Sequence, residues 1–297
     1  MKRSRAMLVC MGCVLLFGCA LPKSPGGESV AAQCAARPEL ATFFGTIQGA
    51  FVLLDPQTGR MICHNPKRAG MRFLPASTFK IPNSVIALDS GVANGPDFRL
   101  PWDADAAPRQ AWWPAAWARD HTLRTALPNS VVWYYQEIAR RIGPQRMQSY
   151  LDRYAYGNRN ISGGIDRFWL TGGLRISAEE QVRFLRRFYS GELGVSPRAI
   201  QSVKELLVLE ETSAYRLSGK TGWAGFGESD EPQTGWLVGY LERAGAVYFY
   251  ATNIEIRSAA DAGARLGITK AVLDHLGLLG RRAAGRSAPG ADPGATR

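Results

Sequence analysis

Ser77-Thr78-Phe79-Lys80 is the first segment whose residue types and spacing could do chemistry. A serine hydroxyl is a poor nucleophile until a base takes its proton. Three residues apart on a helix, Ser77 and Lys80 share one face, a turn apart. An uncharged lysine there could serve as the base. The flanks Phe73, Leu74, Phe79 and Ile81 are apolar, and desolvation lowers a lysine pKa toward the neutral amine. Pro82 falls in the same predicted helix, where it removes a backbone donor and should disturb the ladder. A local rule broken beside a candidate nucleophile is what functional sites show. The four-residue spacing is nevertheless common, and it needs partners.

Two further segments supply candidates. Ser130-Val131-Val132 follows Leu127-Pro128-Asn129 at the start of a helical run. Ser130 reads either as an N-cap, for which serine is favoured, or as a second hydroxyl at the site. Lys220-Thr221-Gly222-Trp223 closes a β-prone run. Gly222 would let a ligand or another backbone approach closely. Lys220 would bring positive charge and Thr221 a hydroxyl for an anionic group; the plain alternative is an edge lysine before a turn. Other constellations fail. His64, His121 and His275 are scattered, with no HxH or HExxH, which argues against a zinc hydrolase. No GxSxG elbow is present for a Ser-His-Asp enzyme.

The elements that must position these residues follow from pattern. A length of 297 residues suits one large domain or two interlocked lobes. Ile47 to Leu54 is β-prone, and Asp55-Pro56-Gln57-Thr58-Gly59 is a turn signal before Arg60 to Cys63, which predicts a hairpin. Helical patterns dominate from Ser77 to about Thr212. Val131 to Ile142 is one helix, stopped by Gly143-Pro144. Another opens on the capping box of Ser177 and Glu180, continues through Val182, Leu185 and Phe188, and ends at Gly191. Three strands follow, Tyr215 to Thr221, Thr234 to Glu242 and Ala246 to Asn253, then a closing helix from Thr269 to Leu279. The predicted fold class is α+β: an antiparallel β-sheet from both chain ends, flanked by terminal helices, with an inserted all-helical lobe. Trp112, Trp113 and Trp117 form an aromatic cluster for which burial is the favoured reading and a cleft wall the alternative.

The net charge of +11 is dispersed, partly in Lys2, Arg3 and Arg5 and partly in Arg281, Arg282, Arg286 and Arg297. No basic stripe interleaves with aromatics, so nucleic acid is not an expected partner. Met1 to Arg5 and Met7 to Phe17 read as the charged and apolar parts of a signal peptide. Leu15-Leu16-Phe17-Gly18-Cys19 resembles a lipoprotein cleavage box, implying lipidation at Cys19; cleavage after Val30-Ala31-Ala32 is the alternative. The expected division is a signal peptide at 1–18, a linker and N-terminal segment at 19–40, a catalytic domain at 41–279 and a disordered tail at 280–297. Export permits disulfides. Outside the leader only Cys34 and Cys63 remain, and a bridge between them is a hypothesis.

The order Ser-x-x-Lys, Ser-x-Val, Lys-Thr-Gly resembles the penicillin-recognising serine acyltransferases. The details resemble the class D (oxacillinase-type) serine β-lactamases. Pro75-Ala76-Ser77-Thr78-Phe79-Lys80-Ile81-Pro82-Asn83 looks like that family's nucleophile segment, Asn129-Ser130-Val131-Val132-Trp133 like its second motif and Tyr156-Gly157-Asn158 like its third. Phe168-Trp169-Leu170, Arg175-Ile176-Ser177-Ala178 and Trp236 through Gly239 extend the match, which runs from about Phe51 to Leu276. Leu237 and Tyr240 depart from it, standing where the family often has tryptophan.

The resemblance implies hydrolysis of a small-molecule β-lactam through a Ser77 acyl-enzyme, giving antibiotic resistance, in the periplasm and with an outer-membrane anchor if Cys19 is lipidated. It implies no cofactor beyond carbon dioxide or bicarbonate, which would carboxylate Lys80 to a carbamate base. Trp169 would hydrogen-bond that carbamate, Val132 would keep its pocket dry, and Ser130 would pass a proton to the leaving ring nitrogen. The N–H groups of Ser77 and Trp223, beside Gly222, would form the oxyanion hole. Thr221 and Arg265 would bind the substrate carboxylate with Lys220 adding positive potential, Arg257 being the rival arginine. Two other readings carry the same motifs: a non-turnover β-lactam sensor, usually following several membrane helices, and a penicillin-binding transpeptidase-like protein, usually with extra domains.

Overall fold

The computed structural model describes residues 34–225 and 233–280. The leader with Cys19, the tail from Arg281 and part of the loop after Trp223 lie outside the described residues. In chain order the elements are β1 (Ala35–Ala36), a 3-10 helix (Pro38–Phe43), β2 (Gly49–Asp55), β3 (Arg60–His64), α1 (Pro66–Gly70), a 3-10 turn (Ala76–Phe79) and α2 (Lys80–Asp89). Then come β4 (Arg99–Leu100), a 3-10 turn (Ala115–Trp117), β5 (His121–Thr122), α3 (Leu123–Ala126), α4 (Val132–Ile142), α5 (Pro144–Tyr154), α6 (Ala178–Tyr189) and α7 (Pro197–Leu206). Four strands, β6 (Val208–Glu211), β7 (Arg216–Ala224), β8 (Gln233–Arg243) and β9 (Ala246–Ile256), precede α8 (Ala259–His275).

The main sheet runs β1-β3-β2-β9-β8-β7-β6, so the chain ends meet where β2 pairs with β9. Every pairing is antiparallel except β1 with β3, which is parallel. The sheet is therefore antiparallel across β3 to β6, as expected, with one short N-terminal strand added in parallel at the free edge of β3. A disulfide joins Cys34 to Cys63 at that edge. Residues 34–40, assigned from sequence to an N-terminal segment, include β1 and the start of the first 3-10 helix, where Leu40 is wholly buried.

Alternation along the strands sorts two cores. Phe51, Leu53, Leu217, Leu237 and Ile254 face the first 3-10 helix and α8, against Leu40, Phe44, Ile268 and Val272. Val52, Val238, Tyr240 and Ala251 face the helical lobe. Leu237 and Tyr240 thus both serve packing, on opposite faces, and Tyr240 meets Tyr189 edge-on at 5.0 Å.

Local signals set most boundaries. Asp55 accepts from Gln57 N and Thr58 Oγ1 to close the first hairpin. Ser177 and Glu180 form the reciprocal cap of α6. Gly143, with φ +80°, ends α4, and Pro144 starts α5 in the first-turn position proline tolerates. The closing helix departs from expectation. It begins at Ala259, on a capping box of Ser258 and Asp261, and ends at His275. Its first turns, Ala-Ala-Asp-Ala-Gly-Ala, carry almost no apolar periodicity, so the pattern began to register only near Thr269.

Candidate active site

The nucleophile candidate sits on the 3-10 turn Ala76–Phe79 leading directly into α2. Ala76 has φ +47°, a left-handed conformation that residues with a Cβ rarely adopt. Pro82 does not disturb a helix interior as anticipated. It lies in the first turn of α2, behind a 3-10 turn, where the missing donor costs little. Ser77 is half-buried, and Lys80, fully buried, places Nζ 2.7 Å from Ser77 Oγ as a donor. Burial, and then the positive charge of Lys220, hold the Lys80 ammonium well below the ordinary lysine range. At this separation an uncharged Lys80 can equally accept the serine proton.

Around Lys80 the packing is aromatic and closed to solvent. Its Nζ lies 5.4 Å from the centre of the Tyr135 ring. Tyr135 OH is 2.7 Å from Ser84 Oγ, which donates to the Lys80 carbonyl at 2.7 Å. Trp169 is wholly buried and stacks on Phe79 at 5.4 Å, and its carbonyl accepts from Ala76 N at 3.0 Å. Its indole Nε1 is buried with no hydrogen-bond partner. Such a donor is costly to bury unless an acceptor arrives. Val132, the first residue of α4, packs against the same core.

Strand β7 brings the third segment. It pairs with β8 along its whole length but with β6 only over Arg216–Ser218, so Lys220 stands where that side of β7 is free of a strand, and it is nevertheless buried. Its Nζ donates to Thr221 O at 3.1 Å and to Thr221 Oγ1 at 3.3 Å. Burial, with Arg265 nearby, pushes the Lys220 pKa down to about 7. A Cβ on Gly222 would stand 2.9 Å from Pro75 O and 3.0 Å from Thr78 Cγ2, so β7 rests directly on the nucleophile turn. Arg265, from α8, donates Nη1 to Gly222 O at 2.6 Å, and its guanidinium carbon lies 5.7 Å from the Trp223 ring centre. Arg257 instead pairs with Glu255 at 2.9 Å, so Arg265 is the arginine that reaches the Lys-Thr-Gly strand.

Ser130 is half-buried with φ +59°. Val131 occupies the cap position of α4 and no side chain caps it, so the Ser130 hydroxyl is not consumed as an N-cap. The turn is held from outside: Trp117 Nε1 donates to Asn129 O and Trp133 Nε1 to Trp117 O, both at 2.8 Å. Trp113 and Trp117 are buried, as favoured, whereas Trp112 is 48 % exposed and meets both edge-on.

One site therefore gathers a serine, a buried amine, an unpaired indole donor and a Lys-Thr-Gly strand with its arginine. The model of the penicillin binding protein transpeptidase domain matches residues 49–274. The β-lactamase OXA-48 of Klebsiella pneumoniae is 44 % identical over 226 residues, 76 % of this chain and 82 % of that protein. The chain belongs to the class D β-lactamases. A solved class D β-lactamase from Nostoc, YbXI, superposes with a TM-score of 0.76 at 42 % identity, covering 82 % of this chain and all of that one. The regulatory protein BlaR1 of Bacillus licheniformis is 34 % identical over 242 residues, but that match spans only 39 % of BlaR1.

Within this class D β-lactamase, sequence reasoning passed over four residues that the structure brings to the site: Thr78, Ser84, Tyr135 and Gln181. Tyr135 was accessible in principle, since it follows Val132 by one helical turn. Gln181 was not, because its partner Thr78 lies 103 residues away. The three histidines stay apart. His121 bonds Thr125 Oγ1 and Ala116 O, His275 packs on Phe43, and His64 packs at a tilt on Phe44. Among the described residues no cluster of His, Cys, Asp or Glu could hold a metal ion.

Proposed function

We propose that this chain hydrolyses the β-lactam ring of penicillin-type antibiotics through an acyl-enzyme on Ser77, with carboxylated Lys80 as the base. The observation that carries the reading is the buried Lys80 amine, 2.7 Å from Ser77 Oγ, with Trp169, whose buried Nε1–H has no partner, stacked on the adjoining Phe79. Only a neutral amine can attack carbon dioxide, and burial favours that form. The amine loses a proton and becomes a carbamate anion. Trp169 supplies a donor-only group suited to that anion.

Acylation then follows. The carbamate takes the Ser77 proton as Oγ attacks the lactam carbonyl carbon. The C–N bond of the ring breaks, the Ser130 hydroxyl passes its proton to the departing nitrogen, and the proton taken from Ser77 returns from the carbamic acid to Ser130, which restores the carbamate. The N–H groups of Ser77 and Trp223 stabilise the oxyanion, a donor pair whose loss typically costs ~10²–10³ in rate per donor. Thr221 and Arg265 take the substrate carboxylate, as arginine's planar fork suits, and Lys220 adds positive potential. In deacylation the carbamate takes a proton from water, the hydroxide attacks the ester carbon, and Ser77 Oγ leaves with its proton restored. The sum is one water added across the amide. Export to the periplasm with a lipid anchor at Cys19 belongs to the same reading, and intact-mass analysis of the mature N-terminus tests it.

The deciding experiment is penicillin hydrolysis by the protein lacking residues 1–33, in degassed buffer and with added bicarbonate. Turnover that rises with bicarbonate supports the carbamate. Turnover with no carbon dioxide at Lys80, by carbon-13 NMR, removes it and leaves the acyl-enzyme. Stoichiometric acylation of Ser77 without turnover points to a sensor like BlaR1.

A further inference from the structure

We infer that Gln181, on α6, is a positioning residue for the nucleophile turn and acts through Thr78. The inference rests on the acyl-enzyme reading above.

Gln181 Nε2 donates to Thr78 Oγ1 at 2.9 Å, and Thr78 Oγ1 donates to Pro75 O at 2.7 Å. Both side chains are buried, at 1 % exposure, so water cannot stand in for either bond. The relay has one direction. A carboxamide nitrogen can only donate, so Thr78 must accept from Gln181 and spend its single proton on Pro75. Thr78 N also donates to Pro75 O, at 3.1 Å. Two bonds from one residue thus close a turn whose second residue, Ala76, has φ +47°. A left-handed conformation at a residue with a Cβ persists only where its surroundings over-determine it.

The atoms this relay fixes are the ones on which β7 rests. Pro75 O and Thr78 Cγ2 are the two atoms closest to the point where a Gly222 Cβ would stand. Ser77 lies between them in sequence, and Trp223 follows Gly222. The two N–H groups proposed for the oxyanion site therefore sit on the two sides of this contact. If the turn loosens, the distance between them changes while the substrate carboxylate site on β7 and α8 does not. Preorganised donors lose their value quickly when misplaced, and an error of about 1 Å can cost ~10²-fold in rate.

The test is a double-mutant cycle on the protein lacking residues 1–33, read by the benzylpenicillin acylation rate of Ser77 by mass spectrometry and by kcat and KM. Gln181→Leu and Thr78→Val should each slow acylation and lower kcat by roughly 10-fold or more, with KM nearly unchanged. The double variant should be no slower than the worse single variant, since both remove one relay. Thr78→Ser keeps both bonds and should stay within a few-fold of wild type. Should Gln181→Leu not fold, Gln181→Met removes the donor at nearly constant length and takes its place. Thermal midpoints lowered with acylation within twofold of wild type would reduce Gln181 to a structural residue and overturn the proposal. Additive losses in the double variant would also overturn it, by separating Gln181 from Thr78. If wild-type Ser77 is not acylated at all, the acyl-enzyme reading has failed first, and the proposal falls with it.

Discussion

The amide of Ala76 donates to the carbonyl of Trp169 at 3.0 Å, tying the residue before the nucleophile to the tryptophan whose indole N–H is buried without a partner. The backbone of Trp169 is thus fixed by the serine turn, and its ring is fixed by stacking on Phe79. The indole donor is held in place by the nucleophile segment itself.

Trp169→Phe should keep most of the stack and remove only the donor. Deacylation is expected to slow by about 10–100-fold, more than acylation, because a charge-assisted bond to the base is lost. Acyl-enzyme should accumulate with penicillin, and the bicarbonate needed for half-maximal activity should rise. Turnover by Trp169→Ala without such accumulation would mean the role assigned to Trp169 is wrong.

Lys80→Ala removes the base for both chemical steps. Turnover should fall by at least about 10³-fold, within the range for general-base loss. Thermal stability should not fall in parallel, since the amine is buried at a desolvation cost. Hydrolysis close to that of wild type, measured at substrate saturation, would refute the assignment.

Lys220 titrates at about 7, against an ordinary 10.5, because it is buried beside Arg265. It carries charge below that pH and loses it above. For a β-lactam with a carboxylate, kcat/KM should therefore fall several-fold as pH rises through about 7. The loss should appear mainly in KM, with Arg265 still holding the anion. The stability effect has the opposite sign. Between about 7 and 10.5 the unfolded lysine binds the proton and the folded one does not, so this group's contribution to stability rises with pH in that window. A flat KM across pH 6 to 9 would show that Lys220 charge does not assist binding.

Gly222→Ala forces a Cβ to 2.9 Å from Pro75 O and 3.2 Å from Trp236 Cβ, atoms that cannot swing away. Overpacking of this kind costs about 1–3 kcal/mol. The strand must also lift off the nucleophile turn, so kcat should fall well beyond the stability loss. Chemical denaturation and steady-state kinetics on the same variant separate the two effects.

The Cys34–Cys63 bridge closes a loop with a separation of 29 residues and ties β1 to β3, at the opposite edge of the sheet from β6 and β7. The chain-entropy estimate for such a loop is about 3–4 kcal/mol. Replacing both cysteines by serine should lower stability by up to that amount and leave kcat unchanged. Equal stability with and without reductant would show that the bridge is dispensable.

The sequence by itself determined what local physics can carry. Ser77 and Lys80 meet because the helical rise puts them a turn apart. Ser177 and Glu180 cap α6, and the turn chemistry at Asp55 builds the first hairpin. These depend on residues within a few positions of each other, so spacing alone encodes them. The ordered motifs also carried the family, since three separated signatures in one order are rarely accidental. The tertiary structure alone decided the rest. It set Arg265 rather than Arg257 on Gly222, put Ser130 in a left-handed turn instead of a cap, and added β1 in parallel. It extended α8 ten residues upstream through an alanine- and glycine-rich stretch with no periodic signal. It also joined Gln181 to Thr78 across 103 residues. Each of these contacts depends on where whole elements come to rest. That is settled by the summed burial of two cores on one sheet, and no single spacing in the chain records it.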